Sequence, residues 1–317
     1  MLIKPDRLSP GDIIGIVAPA SAPPAPKAVE RAVETLKAAG FRVRLAPNVR
    51  KRLGFLAGSD RERADDLMGM FQDRCVKAIL CVRGGYGSAR LLPLLDFRII
   101  RANPKIFLGY SDVTSLHCAF LKNAALVAFH GPMLVPDFAN GERPRFSWQS
   151  CQRALMHPSP AGSICRDYHR KTITVLRGGK ASGQLVGGNL SVLCTTLGTP
   201  FQPSFKNRIL CLEDHSEPPY RFDRMLTHLL NAGVLRQVAG VAIGTNEGCH
   251  DPIARKAREY RQTLGDVLRE RLLPLKVPVV AGLPFGHVPL NATVPLGVQA
   301  TLDGIKGDLE IVESAVK

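Results

Sequence analysis

The chain has 317 residues, 45% of them hydrophobic, and its 42 Lys and Arg residues against 27 Asp and Glu residues give a formal net charge of +15. This length and composition suffice for one large or two ordinary domains and exclude a disordered or low-complexity chain. No stretch reaches about 18 consecutive apolar residues, so the sequence predicts no transmembrane helix and no membrane partner.

The positive charge is spread along the chain, and its densest stretch is Asn48-Val-Arg-Lys-Arg52. Aromatic residues make up only 6% of the chain, and no nucleic-acid-binding motif is present. We therefore interpret the charge as a basic surface and predict no nucleic-acid partner. A nucleic-acid binder remains an alternative that rests on charge alone.

The cysteines indicate a reducing compartment. Half of them, Cys81, Cys118, Cys194 and Cys211, lie inside apolar runs, and no C-x-x-C pair occurs. We interpret them as reduced core residues, not as disulfides or metal ligands, and predict no metal and no cofactor. The N-terminal residues lack the apolar core of a signal peptide, so we expect a cytoplasmic protein.

Strands and helices alternate along the first half of the chain. The apolar runs predict strands at 12–18, 41–45, 77–82, 106–109 and 126–129, with helices at 27–39, 59–71, 88–95 and 112–122. The helix at 59–71 begins with the capping box Ser59-Asp-Arg-Glu62. This alternation is typical of an α/β fold in which helices cover both faces of a parallel sheet.

The regular pattern breaks up at residues 157–182, where charged residues, Pro and Gly cluster. We interpret this segment as a linker between an N-terminal domain, 1–156, and a C-terminal domain, 183–317. The second half then predicts strands at 184–187, 208–213, 238–244, 277–281, 297–302 and 308–312, and helices at 220–232 and 260–272.

Chemically active residues follow the predicted strands. Functional groups in open parallel sheets gather at the carboxyl ends of the strands. The residues at these ends are Arg83, Gly84, Gly85, Ser111, His130, Glu213, His215 and His287. They include the hydroxyl, base, carboxylate and backbone donors that serine hydrolysis requires.

Ser111 lies on a predicted sharp turn from strand to helix, although the G-x-S-x-G spelling is absent and a serine there is more often a helix cap than a nucleophile. Three histidines are candidates for the base. His215 is too close in sequence to Glu213 to be oriented by it, His130 can equally order a neighbouring loop, and His287 follows a Gly on a Pro-rich turn. These alternatives stay open on the residues alone.

Several motifs in a fixed order resemble the L,D-carboxypeptidases, serine peptidases that include the murein tetrapeptide carboxypeptidases and the microcin C self-immunity hydrolases. The motifs are Gly11-Asp-Ile-Ile-Gly-Ile-Val-Ala-Pro-Ala20, Arg83-Gly-Gly-Tyr-Gly87, Gly109-Tyr-Ser-Asp-Val-Thr114, His130-Gly-Pro132, Gly187-Gly-Asn189, Leu212-Glu-Asp214 and Gly282-Leu-Pro-Phe-Gly-His287. The resemblance extends over nearly the whole chain.

The resemblance implies a flavodoxin-like N-terminal α/β domain and a smaller C-terminal α/β domain of swivelling type. It also implies a catalytic triad of Ser111, Glu213 and His287. Backbone N–H groups of Asp112 and of Gly84 or Gly85 are then the natural donors to an oxyanion.

Three further residues are candidates for binding substrate. Asn189 resembles a residue that contacts substrate, Arg83 is suited to pairing with a carboxylate, and Glu247 is a further candidate for binding the amine of a substrate.

The function that this resemblance implies is removal of the C-terminal D-Ala from the murein tetrapeptide L-Ala-γ-D-Glu-meso-diaminopimelate-D-Ala during peptidoglycan recycling. A homodimer is expected by analogy with the family. One alternative is a hydrolase of the microcin C immunity type, which cleaves an amide between a peptide or amino acid and a modified nucleotide. Another is a non-catalytic ligand-binding protein on the same fold.

Overall fold

The computed structural model describes residues 2–141, 144–250 and 262–317, which form two β-sheets flanked by helices. The strands are β1 (Ile13–Val17), β2 (Arg42–Leu45), β3 (Val76–Cys81), β4 (Ile106–Gly109), β5 (Ala128–His130), β6 (Gly162–Ser163), β7 (Thr174–Arg177), β8 (Lys180–Asn189), β9 (Ile209–Glu213), β10 (Gly240–Thr245), β11 (Val279–Gly286), β12 (Val294–Leu296), β13 (Gln299–Asp303) and β14 (Asp308–Ile311).

The α-helices in this part of the chain are α1 (Pro26–Ala38), α2 (Asp60–Gln72), α3 (Phe97–Ala102), α4 (Thr114–Ala119), α5 (Leu134–Phe138), α6 (Arg145–Leu155), α7 (Leu190–Thr196), α8 (Pro219–Asn231) and α9 (Leu264–Leu272). The predicted capping box is present, since Ser59 accepts from the Glu62 N–H and the Glu62 side chain accepts in return. No helix among the described residues is long and apolar enough to cross a membrane.

The first sheet has the strand order β12-β5-β4-β3-β1-β2. Its strands β1 to β5 are parallel, as the alternating pattern predicts, and β12 pairs antiparallel with β5. Strands β3 and β4 are almost entirely buried, because helices cover both faces of this sheet. The α/β fold with a parallel sheet is therefore confirmed.

The second sheet has the order β6-β14-β13-β8-β9-β10-β11-β7. Its centre, β8 to β11, is parallel, and the outer strands pair antiparallel. Two of these outer strands, β6 and β7, lie within the segment interpreted as a linker, so that segment is not structureless. The domain boundaries themselves remain a prediction.

Some predicted helices differ in kind from those in the structure. The helix expected at 88–95 is a 3₁₀ helix at Ser88–Leu94. The helix expected at 112–122 consists of a 3₁₀ turn at Ser111–Val113, α4 and a π-helical turn at Phe120–Ala124. Of the helix expected at 260–272, residues 260 and 261 lie outside the described residues, and α9 begins only at Leu264, after the N-cap Thr263.

Strand β12 connects the two sheets. The chain leaves β11 of the second sheet at Gly286, passes through residues 287–293 and enters the first sheet, where Val294 pairs with His130. The halves also touch where the Asn189 N–H donates to Thr114 Oγ1 at 2.9 Å. These connections bring the carboxyl ends of strands from both sheets to one cleft.

Candidate active site

Ser111 occupies a strained turn between β4 and α4. Its φ of +66° lies in the left-handed region, which a residue with a side chain rarely adopts. Strand β4 ends at Gly109, and the 3₁₀ turn begins immediately at Ser111. The chain must therefore reverse within two residues, and this reversal directs the serine out of the sheet as the sequence predicts.

The glycine-rich loop after β3 lies against this turn. A Cβ added to Gly84 would stand 2.7 Å from the Ser111 Cβ and 3.3 Å from the Asp112 nitrogen. The next residue, Gly85, has a φ of +110°, which also favours glycine. The loop backbone can approach the serine this closely only because Gly84 lacks a side chain, whereas an added Cβ on Gly85 would meet Ser21.

Buried polar groups hold this loop in place. The Arg63 guanidinium donates to the Gly87 carbonyl at 2.9 Å and to the Pro19 carbonyl. The Ser88 N–H donates to Asp112 Oδ2 at 2.8 Å. Burial raises the pKa of Asp112 above its ordinary value, although the Ser88 hydrogen bonds counteract it. The loop is therefore held both to the Pro19 segment and to the residue that follows Ser111.

Glu213 and His287 form a buried hydrogen bond across the second sheet. Glu213 ends β9, His287 follows β11, and β10 lies between these strands. His287 Nδ1 is 2.7 Å from Glu213 Oε2, and the Glu213 side chain is fully buried. Because an ionised carboxylate only accepts, Nδ1 carries the proton and Nε2 is free to act as a base.

The electrostatics of His287 reflect two opposing effects. Burial of the imidazole favours its neutral form, but the hydrogen bond and the negative charge of Glu213 outweigh burial and raise the pKa of His287 above its ordinary value. Asp214 and Asp137 contribute in the same direction. The histidine is therefore a stronger base than a free imidazole.

Two aromatic rings contact the His287 imidazole in different geometries. Tyr110 meets it edge-on, with centroids 4.9 Å apart and planes at 78°, and His215 stacks on it at 4.9 Å and 17°. His215, one of the three candidate bases, thus lies beside His287 on the solvent side.

His130, the third candidate base, is buried beneath the cleft. Its ring is 6.0 Å from that of Tyr110 and 5.9 Å from that of Phe285, and burial lowers its pKa to about 4. Neither ring nitrogen of His130 has a hydrogen-bond partner among the described residues. Its place in the packing fits a core histidine better than a base that meets substrate.

The cleft beside Ser111 and His287 has two lobes. The serine lobe, about 310 Å³, contains Ser111, Arg83, Gly84 and Gly85 along its wall. The aspartate lobe, about 390 Å³, is lined by Asp137, Asn140, Pro144, Val288 and Pro289. The two lobes adjoin, since both are lined by Tyr110, Pro136 and His287.

The three predicted substrate-binding residues differ in their surroundings. Arg83 is half-buried in the serine lobe and forms no salt bridge with any described residue. Asn189 is buried, and its side chain caps α7 by accepting from the Val192 N–H at 3.1 Å while donating to Asp214 Oδ1 at 3.0 Å. Glu247 is exposed and lines neither lobe.

Asp137 is a cleft residue that sequence reasoning missed. It lies on α5, a short helix that follows β5, and its Oδ2 accepts from the Met133 N–H at 2.7 Å. No motif marks it; the only sequence signal is its position shortly after His130-Gly-Pro132 at a strand end. In the part of the chain that the structure describes, no group of three or more His, Cys, Asp or Glu side chains could hold a metal ion.

Family models match both halves of the chain. A model described as the LD-carboxypeptidase N-terminal domain matches residues 14–131, and one described as the LD-carboxypeptidase C-terminal domain matches residues 182–302.

Individual relatives cover almost the full chain. A probable murein peptide carboxypeptidase of Bacillus subtilis is 39% identical over 300 residues, which is 95% of this chain and 91% of that protein. The crystal structure of a muramoyltetrapeptide carboxypeptidase from Oxalobacter formigenes aligns with a TM-score of 0.80 and 31% identity over 94% of this chain and 97% of that one. The structure of MccF with glutamyl sulfamoyl guanosine aligns with a TM-score of 0.88 and 26% identity over 99% of both chains.

Proposed function

The chain belongs to the LD-carboxypeptidase family of serine carboxypeptidases, and we propose on this basis that Ser111, His287 and Glu213 act as its catalytic triad. The observation that carries the proposal is the hydrogen bond of 2.7 Å between His287 and the fully buried Glu213, in a cleft that also contains the strained Ser111. A nucleophile, a base and a group that orients the base are the parts of such a triad.

The proposed reaction follows from these positions. His287 Nε2 accepts the proton of the Ser111 hydroxyl, and the serine oxygen attacks the carbonyl of the residue before a C-terminal D-amino acid. Glu213 stabilises the resulting imidazolium. His287 then gives the proton to the leaving amine, and water hydrolyses the acyl-enzyme and restores Ser111.

Backbone N–H groups support the charged intermediate. Asp112 lies in the first turn of a helix, where N–H groups have no partner within the helix. Gly84 brings the backbone of the loop after β3 next to the Asp112 nitrogen, and Gly85, the next residue, lines the same lobe. We assign the oxyanion to these donors, because fixed N–H groups stabilise a developing negative charge without reorganisation.

The substrate that fits best is the murein tetrapeptide ending in D-Ala. The named relatives include murein and muramoyltetrapeptide carboxypeptidases. Arg83, half-buried and without a carboxylate partner among the described residues, would pair with the carboxylate of the leaving D-Ala. We also propose that the protein lies in the cytoplasm, forms a homodimer and serves the recycling of wall peptides.

Hydrolysis of synthetic tetrapeptides tests this function. Mass spectrometry should show loss of D-Ala from the wild-type reaction and no loss in Ser111→Ala. The same peptide ending in L-Ala should react slowly, because exchange of the stereocentre moves the carboxylate away from its partner. Equal rates on both isomers, or a preference for a pentapeptide ending in D-Ala-D-Ala, would contradict the L,D assignment.

A microcin-type hydrolase is the second candidate, since MccF is among the structural relatives. An aminoacyl sulfamoyl nucleoside serves as its test substrate. Faster hydrolysis of that compound than of the tetrapeptide would favour this alternative.

A further inference from the structure

The aspartate lobe contains a carboxyl group, that of Asp137, which forms no ion pair with a described cation. Asp137 forms no salt bridge with a described Lys, Arg or His, although the chain has 42 Lys and Arg residues against 27 acidic ones. Its hydrogen bond from the Met133 N–H involves Oδ2 only. The carboxylate thus keeps acceptor capacity toward the lobe that it lines.

This carboxylate is held in an unfavourable environment. Burial raises the pKa of Asp137 to about 7, although the Met133 hydrogen bond and the charge of His287 oppose the shift. A carboxylate that is half-buried without a paired cation is costly to ionise. A cationic ligand in the lobe would relieve this cost.

We propose that the aspartate lobe is a subsite for an ammonium group on the side chain of the residue whose carbonyl Ser111 attacks. This inference rests on the proposed function. The lobe shares Tyr110, Pro136 and His287 with the serine lobe, so its ligand group must belong to a residue beside the cleaved bond.

Only one residue of the tetrapeptide meets this requirement. The leaving D-Ala carries a methyl group and a carboxylate, but no cation. The N-terminal amine of L-Ala is two residues further along the peptide, and each residue of an extended chain adds about 3.3 Å or more. The diaminopimelate side chain belongs to the residue whose carbonyl is attacked and ends in an ammonium group and a carboxylate on the same carbon, and a lysine in that position ends in an ammonium group alone.

The two lobes are then complementary in charge to the two sides of the bond. Arg83 in the serine lobe offers a positive charge for the carboxylate of the leaving residue, and Asp137 in the aspartate lobe offers a negative charge for the ammonium group of the acyl residue. A peptide with the opposite arrangement of charges would meet like charges in both lobes.

Two peptides that differ only in this charge test the subsite. They are the tetrapeptides with lysine or with norleucine at the third position, which have side chains of similar length with and without an ammonium group. We expect wild-type kcat/KM to favour the lysine peptide by about 10- to 100-fold, mainly through KM, as a hydrogen bond between charged groups predicts. In Asp137→Asn this ratio should fall to about 1.

Matched variants test whether the charge of Asp137 itself produces the preference. Asparagine retains the size of Asp137 and can still accept from the Met133 N–H, and an unchanged melting temperature verifies the fold. Asp137→Glu should recover part of the preference. Glu310→Gln, which removes an exposed acid of β14 outside both lobes, should keep the wild-type ratio, and Glu247→Gln tests the other residue that the sequence predicts to bind an amine.

The possible outcomes are distinct. A ratio that persists in Asp137→Asn, that is lost in Glu247→Gln instead, or that is near 1 in the wild type would overturn the subsite. Failure of the proposed function has another signature, since the wild type would then hydrolyse neither peptide.

Discussion

Gly84 passes so close to Ser111 that a Cβ on the glycine would lie 2.7 Å from the Ser111 Cβ and 2.8 Å from its Oγ. Two carbon atoms cannot stay that close, so a side chain on Gly84 would displace Ser111, the proposed nucleophile. The glycine therefore positions a strip of backbone directly beside the hydroxyl. The contact joins the loop after β3 to the turn after β4, which are neighbouring strands of one sheet.

Gly84→Ala should reduce kcat/KM by about 100-fold or more while the protein still folds. The methyl group has to displace either Ser111 or the loop, and loss of one oxyanion donor alone costs about 10²- to 10³-fold. Steady-state hydrolysis of the tetrapeptide measures the effect. Gly69→Ala is the matched control, because Gly69 lies in α2 with no atom within 4 Å of an added Cβ. If Gly84→Ala were as active as Gly69→Ala, the loop after β3 would have no role in the reaction.

The left-handed backbone at Ser111 predicts that this serine lowers the stability of the fold while its hydroxyl group supplies the activity. Both Ser111→Ala and Ser111→Gly should lose about 10⁴-fold or more in kcat, since both remove the hydroxyl. Only glycine relieves the strain of a φ of +66°, so Ser111→Gly should be more stable than Ser111→Ala by about 1 kcal/mol. Urea unfolding measures this difference. Equal stability, or a variant that retains a tenth of the wild-type kcat, would contradict the assignment of this strained serine.

The sequence predicted the parallel strands of the first sheet well, for a physical reason. Buried parallel strands are continuous apolar runs, such as Ile106–Gly109, and these are visible without any tertiary information. The strand-end rule gave Ser111, Glu213 and His287 among several candidates, and the family resemblance selected these three. In the structure Ser111 and His287 line one lobe of the cleft, and Glu213 is hydrogen-bonded to His287; their catalytic roles stay a prediction.

The sequence predicted the antiparallel strands β13 and β14 but not the three shorter ones, β6, β7 and β12. Strand β12 has only three residues, Val-Pro-Leu, and forms because β5 offers an unpaired edge far away in sequence. Strands β6 and β7 likewise pair with β14 and β11, more than 100 residues further along the chain. Such pairing depends on the tertiary fold and leaves little pattern in strands of two to four residues.

The hydrogen-bond and ion-pair partners of individual side chains could not be predicted from the sequence either. Asn189 was expected to touch substrate, yet its amide caps α7 and bonds Asp214. An Asn directly before a helix is a recognised cap signal that could have indicated this. Asp137 gave no signal beyond its position shortly after a strand end, because only the tertiary structure shows that it lines the cleft without a described cationic partner. These substrate roles stay predictions.

Glu213→Gln should change the pH dependence as well as the rate. Glu213 raises the pKa of His287 above its ordinary value of about 6.5, so wild-type kcat/KM should rise with pH through a midpoint above that value. Glutamine removes the negative charge and leaves burial, which lowers the pKa of a histidine. The acid limb should therefore move to lower pH, while kcat falls by about 10⁴-fold. Rate profiles of both proteins across pH test this, with Ser111→Ala as the measure of background hydrolysis. An acid limb that stays in place would mean that another group, with His130 as the first candidate, controls the protonation step.

The stacked ring of His215 should hold the imidazole of His287, the proposed base, in its plane. His215 is exposed and lies parallel to His287 at a centroid distance of 4.9 Å, while Tyr110 contacts the same ring only by its edge. A ring pair of this kind contributes about 0.5–1.5 kcal/mol, so His215→Ala should lower kcat about 2- to 10-fold with little change in KM. His215→Phe restores a flat ring without the imidazole and should recover most of the loss, which a role in proton transfer would not allow. The two variants, assayed on the same tetrapeptide, thus separate packing from chemistry. If Phe and Ala are equally impaired by more than 100-fold, His215 itself handles a proton, and the assignment of His287 as the base must be revised.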